Sequence, residues 1–201
     1  SINLVKADFG PQKIVTSNAI DVIDTFPADM DGDGDIDFLA AKPGNFFGGG
    51  AAVLYRNNGN GRFTELSPFP NGPDTLVSNI VASDLDNDGD LDVVLGSSGI
   101  FSGGVKVYRN DGNLRFTQTF DAIGSPFLWD IHLGDANNDN KPDIIYGLGG
   151  DNDMISIHYN TGNIYNWFGN FTVKEDTNTG DEPRNIHLAD IDGDGDQDVI
   201  S

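Results

Sequence analysis

The stretch Asp29-Met30-Asp31-Gly32-Asp33-Gly34-Asp35-Ile36-Asp37 places an acid at every odd position of nine residues and runs straight into the apolar pair Phe38-Leu39. Further copies occupy residues 84–92, 135–143 and 190–198, a pitch of 51–55 residues. Carboxylates at positions 1, 3, 5 and 9 of a tight loop suit one hard cation, and even recurrence signals a repeat architecture. One such cluster alone would read as a solvated turn. Four in register do not, because an ordinary turn has no use for an acid at its ninth position. Without an ion, charges ~5 Å apart at an effective dielectric of ~20 repel by roughly 3 kcal/mol per pair.

The expected ligands are side-chain oxygens from positions 1, 3, 5 and 9 and the backbone carbonyl of position 7. In the first loop these are Asp29, Asp31, Asp33, Asp37 and the carbonyl of Asp35; in the second, Asp84, Asp86, Asp88, Asp92 and the carbonyl of Asp90. The fourth supplies Asp190, Asp192, Asp194, Asp198 and the carbonyl of Asp196. The third departs, with Asp135, Asn137, Asp139, Asp143 and the carbonyl of Lys141, and is expected to be the weakest site. Position 6 is Gly34, Gly89 or Gly195, where a sharp turn wants positive φ, and Asn140 stands there in the third loop. All-oxygen coordination selects calcium over zinc, which wants His and Cys, and over magnesium, which keeps its waters. An EF-hand would need a Glu at position 12 and a following helix. Position 12 is Ala40, Leu95, Tyr146 or Ser201, so that reading fails. Four structural calcium ions are expected. At ~1 mM calcium a site with a dissociation constant of ~0.1 mM adds about 1.4 kcal/mol of stability.

Around each loop the same signals recur. A short apolar stretch enters it (residues 22–26, 78–82, 129–133 and 185–188), and an apolar pair leaves it: Phe38-Leu39, Val93-Val94, Ile144-Ile145 or Val199-Ile200. Consecutive apolar residues in so short a run suit a strand covered on both faces. Gly-rich connections follow, then a third strand ending in Asn58-Gly59, Asp111-Gly112 or Thr161-Gly162, which reads as a hairpin turn. A fourth strand is expected to open with Phe63, Phe116 or Phe168. No segment has a helical period. Four strands per roughly 50 residues, buried on two sides, is the pattern of a β-propeller blade.

There are four loop-bearing hairpins but only three internal outer hairpins. Residues 2–6 and 9–15 read as the missing third and fourth strands, so residues 1–17 would complete the last blade and hide two open strand edges. That makes one all-β domain over 1–201, a propeller of four four-stranded antiparallel blades. The alternative is an arc of a larger seven- or eight-bladed ring, with self-association expected if the ring is not closed within one chain. Both ends read as cuts within a longer protein.

The formal charge is −21, and 18 of the 32 acids lie in the four loops, so the acidity is local. A chain this acidic, with no basic stripe, would repel a phosphate backbone, which argues against nucleic acid and against anionic membranes. No stretch has the length and apolarity of a transmembrane helix, so no membrane insertion is expected. Cysteine is absent, which excludes disulfides and leaves the redox compartment open. Millimolar calcium outside cells favours a secreted or cell-surface setting.

Together the Asp loops, the Phe46-Phe47-Gly48-Gly49 run before Val53-Leu54-Tyr55, and the Asn-Gly hairpins resemble FG-GAP/VCBS repeats, the units of integrin-α-type β-propellers. The resemblance covers nearly the whole chain. It implies calcium between the first and second strands of each blade and an extracellular setting. Family rings usually have seven blades, which four repeats do not match. It implies no single activity, since members include adhesion modules, lectins and accessory domains of carbohydrate-active enzymes.

His132 and His187 each stand three residues before a loop, at equivalent places on neighbouring repeats, where they could meet near the ring axis; packed or channel-lining imidazoles are the plainer reading. His158, beside Tyr159 on a third strand, reads as a surface residue. Trp129, Trp167, Tyr165 and Phe127 are candidates for stacking on sugar rings, though core packing is the commoner fate of such residues. No catalytic carboxylate pair stands apart from the loops. The expectation is a non-catalytic binding or adhesion module for glycan or protein. The alternative is the propeller portion of a secreted polysaccharide lyase or hydrolase.

Overall fold

Alternation decides the architecture. In Val93-Val94 and Ile144-Ile145 one residue faces the preceding sheet and its neighbour faces the following one, so these strands are sandwiched. The computed structural model describes residues 15, 21–44, 50–69, 76–98, 103–123, 127–149, 153–162, 171–178 and 183–201. Among these there is no helix. Three four-stranded antiparallel sheets follow one another along the chain. The first holds β1 (Asp24–Ala28), β2 (Asp37–Lys42), β3 (Ala51–Asn57) and β4 (Phe63–Leu66). The second holds β5 (Leu76–Ser83), β6 (Asp92–Ser98), β7 (Gly104–Asn110) and β8 (Phe116–Ile123). The third holds β9 (Phe127–Gly134), β10 (Asp143–Gly149), β11 (Met154–Asn160) and β12 (Phe171–Asn178). A two-stranded sheet, β13 (His187–Ala189) with β14 (Asp198–Ile200), closes the described chain. The expected outer strands at residues 2–6 and 9–15 lie outside the described residues, apart from Val15.

Each sheet packs on the next through its first strand: β1 and β2 on β5, β5 and β6 on β9, and β9 on β13. Leu39 and Leu54 meet Val77, Ile80, Val93 and Leu95 in the first seam. Val94 and Val107 turn the other way and meet Leu128, Ile131 and Ile144 in the second. Ile145 and Ile155 then meet Ile186 in the third. The full burial of β10 on both faces is the outcome. On the last sheet Ile191 and Ile200 stay 65 % and 37 % exposed.

Close approach at the seams demands small residues four places after each loop's ninth Asp: Ala41, Gly96 and Gly147. A Cβ on Gly147 would lie 2.4 Å from the backbone carbonyl oxygen of Pro183, which has no flexible end to move aside. Gly147→Ala is therefore expected to cost about 1–3 kcal/mol in urea unfolding, by prising β10 from the last sheet.

The expected hairpin turns form at the Asn-Gly clusters, with Gly59 and Gly112 at φ 72° and 85°, and they are longer than two residues. β3 pairs with β4 at Asn57↔Phe63 and β7 with β8 at Asn110↔Phe116, which leaves five-residue connections. The asparagine before each cluster causes this: Asn57 and Asn110 accept from the backbone N–H of Gly59 and Gly112 at 3.1 Å, turning the chain before a tight hairpin can form. β12 pairs from Phe171, opposite Asn160, and the start expected at Phe168 lies outside the described residues.

Candidate metal centre

Each acidic loop joins the first two strands of its sheet, and its ninth Asp already belongs to the second strand. Asp37, Asp92 and Asp143 are fully buried because their carboxylates work inside the fold. One oxygen of each accepts the N–H of the loop's second residue: Met30 at 3.0 Å, Leu85 at 2.9 Å and Ala136 at 2.9 Å. The other accepts the N–H of the asparagine ending the third strand: Asn57 at 2.7 Å, Asn110 at 2.8 Å and Asn160 at 2.7 Å. Asp198 repeats the first contact with Ile191 at 3.0 Å. The ninth acid thus ties loop, second strand and third strand together. The second residue passes this order outwards, since Met30 and Leu85 bury their side chains in the seams to the next sheet.

The first acid organises the turn. Asp29 accepts from the N–H groups of Asp33 and Gly34 at 3.1 and 2.9 Å, Asp84 from Asp88 and Gly89 at 3.1 and 3.0 Å, and Asp135 from Asp139 and Asn140 at 2.9 and 2.7 Å. Asp190 does the same with Gly193 and Gly195 at 2.7 and 3.1 Å. The fifth acids, Asp33, Asp88, Asp139 and Asp194, each accept from the N–H two residues on, at 2.9–3.0 Å. Position 6 has positive φ in all four loops, as expected, with Asn140 at 63°. Position 4 does too: Gly32, Asn87, Asn138 and Gly193 lie at 59–79°. That requirement was visible in the sequence as Gly or Asn in every copy, and the sequence reading passed over it.

These constraints turn carboxylates inward. One oxygen each from Asp29, Asp31 and Asp33 lie within 4.8 Å of one another, as do those of Asp84, Asp86 and Asp92, and of Asp190, Asp192 and Asp194. Oxygens so grouped fit a hard divalent cation, with Asp86 and Asp92 offering the least solvated pair. Position 7 directs its side chain elsewhere. Asp35 and Asp90 lie over Gly59 and Gly112 of the outer turn, and Asp196 accepts from Asn138 of the neighbouring loop at 2.5 Å.

In the third loop Asp135, Asn137, Asp139 and Asp143 keep the same backbone contacts. Lys141, packed against Gly162, sets its ammonium 2.8 Å from Asp139. That hydrogen bond holds the Asp139 carboxyl below the usual range. A resident ammonium thus already partners one of this loop's carboxylates. Lys141→Asp is expected to strengthen calcium binding at this loop on the order of tenfold, about 1.4 kcal/mol, measured by calorimetric titration.

Burial pushes the carboxyls of Asp37, Asp92 and Asp143 upward, and Asp92 to about 7, against backbone hydrogen bonds that favour the charged form. The sign follows. A folded pKa above the free value near 3.8 means that ionisation opposes folding above pH ~7, a cost that fades as pH falls towards that value. A cation held here would bind the ionised form, so protons would displace it through the same window. The rise in melting temperature caused by calcium is expected to be smaller at pH 5.5 than at pH 8.

Other sequence candidates separate. His132 and His187 meet, with ring centres 5.9 Å apart. His158 is no surface residue, since it is half-buried and shares a 2.8 Å hydrogen bond with the Tyr146 hydroxyl. Trp129 packs over Gly149 and beneath the Arg184 guanidinium at 4.7 Å, which commits its indole to the fold. Phe127 is 50 % exposed, whereas Trp167 and Tyr165 lie outside the described residues.

A search of curated proteins returned no match. Comparison with protein families matched an FG-GAP-like repeat over residues 29–95 and again over 84–146, each match running from one acidic loop through the next. Repeats of this kind are typical of extracellular proteins and often bind calcium. No helix among the described residues is long and apolar enough to cross a membrane. With more than half its length matched and the same loop–strand unit built around every motif, this chain belongs to the FG-GAP repeat family.

Proposed function

We propose that the chain is a calcium-stabilised, non-catalytic extracellular binding module that recognises glycan or protein. The observation that supports it best is the fusion of acid cluster and seam. Met30 and Leu85 belong at once to a carboxylate cage and to the packing between sheets, so an ion there would stiffen the whole scaffold. Ligand recognition then falls to the opposite mouth, where β9 begins and Phe127 stands half-exposed.

The ring has four blades in this reading. Asp24 of the first sheet accepts from Ile80 of the second at 2.8 Å, and Asp130 of the third accepts from Ile186 at 2.7 Å. Burial raises the Asp24 carboxyl and the charge of Asp130 adds to this, although their sheets are not consecutive. Alternate sheets whose inner acids feel each other support a tight ring, closed by residues 1–17, rather than an arc of a wide one. Exposed Ile191 and Ile200 favour instead a further sheet from a second copy. Light scattering in calcium separates the two, with a monomer expected and a concentration-dependent dimer contradicting closure.

Glycan and protein arrays probed in 1 mM calcium, beside a polysaccharide panel assayed for turnover, test the function. Saturable binding without turnover is expected. Turnover by this chain alone would overturn the reading in favour of a lyase or hydrolase.

A further inference from the structure

We infer that His132 and His187 form a second kind of metal site, a two-imidazole clip for a borderline transition-metal ion across the seam between the third and last sheets. The rings belong to β9 and β13, the first strands of adjoining sheets, and stand edge to face at 76° with centres 5.9 Å apart. An ion bound ~2.1 Å from one nitrogen of each ring sets the ring centres about 5–6.5 Å apart, depending on the bond angle. The observed separation falls inside that range, so side-chain rotation alone can bring two nitrogens to one ion.

The surroundings suit such an ion. Burial lowers the affinity of His132 for protons, as does the neighbouring His187, so His132 offers a free lone pair at neutral pH. Asp130, two residues before His132 on the same face of β9, adds negative charge nearby while its carboxylate fixes the Ile186 N–H. Nitrogen ligands select nickel, copper or zinc, whereas the oxygen-lined loops select calcium. The two sites thus draw on different metals. A clip here would staple the two-stranded last sheet to the body at the contact of the short β13 with β9.

Nickel titration into the calcium-saturated 201-residue chain is the test. One ion per chain is expected, with His132→Gln and His187→Gln each weakening binding about tenfold or more, about 1.4 kcal/mol or more. His158→Gln is expected to leave it unchanged. NMR on the unmutated protein gives a readout that does not depend on variants folding. The chain has three histidines, and paramagnetic Ni2+ should broaden the ring signals of two and spare His158. Equal uptake by wild type and the double variant, no uptake in calcium, or broadening of all three rings alike would overturn the inference.

Discussion

Removing calcium with a chelator is expected to lower the melting temperature by about 8–16 °C. Three acid clusters, each worth about 1.4 kcal/mol at ~1 mM calcium, give about 4 kcal/mol in total. In a chain of this size 1 kcal/mol moves the midpoint by roughly 2–4 °C. The effect should reach beyond the loops, because the second loop residue carries order into the neighbouring seam. Hydrogen exchange is therefore expected to rise in β5, which packs on the first loop's Met30, as well as in the loop itself. Coincident melts with and without chelator would refute a structural role for the ion.

Asp92→Ala is expected to cost about 2–6 kcal/mol, and to do so with or without calcium. Its two oxygens accept the N–H groups of Leu85 and Asn110, and Leu85 and Asn110 are both buried. Stranding a buried donor costs about 1–3 kcal/mol. Asp88→Ala provides the contrast. Asp88 is exposed and accepts from Asp90 two residues on, so its loss should change stability by about 0.5 kcal/mol or less in chelator while weakening calcium binding. Urea unfolding of both variants in calcium and in chelator separates the two roles: Asp92 serves the fold as well as the ion, Asp88 the ion alone. Equal losses of the two variants in chelator would remove the distinction.

Much of this was legible in the sequence because the signals are periodic. Val93-Val94 and Ile144-Ile145 announce two-sided strands, and the structure sends each member of a pair to a different seam. Position 6 was readable because glycine tolerates positive φ. Asn57, Asn110 and Asn160 were harder. They looked like turn residues, and only the fold shows that their backbone N–H groups reach the ninth acid about twenty residues back. Asp24 and Asp130 gave no local signal at all. An isolated Asp in an apolar strand acquires meaning only when the next sheet presents an N–H to it. His158 misled because its partner, Tyr146, sits across a strand pair.

Calcium titration of the metal-stripped protein by isothermal calorimetry bears most directly on whether the acidic loops are ion cages that brace the seams. The expected isotherm shows three ions per chain at the loops beginning with Asp29, Asp84 and Asp190, then a weaker fourth at the Lys141 loop. No heat and no uptake at millimolar calcium would contradict it.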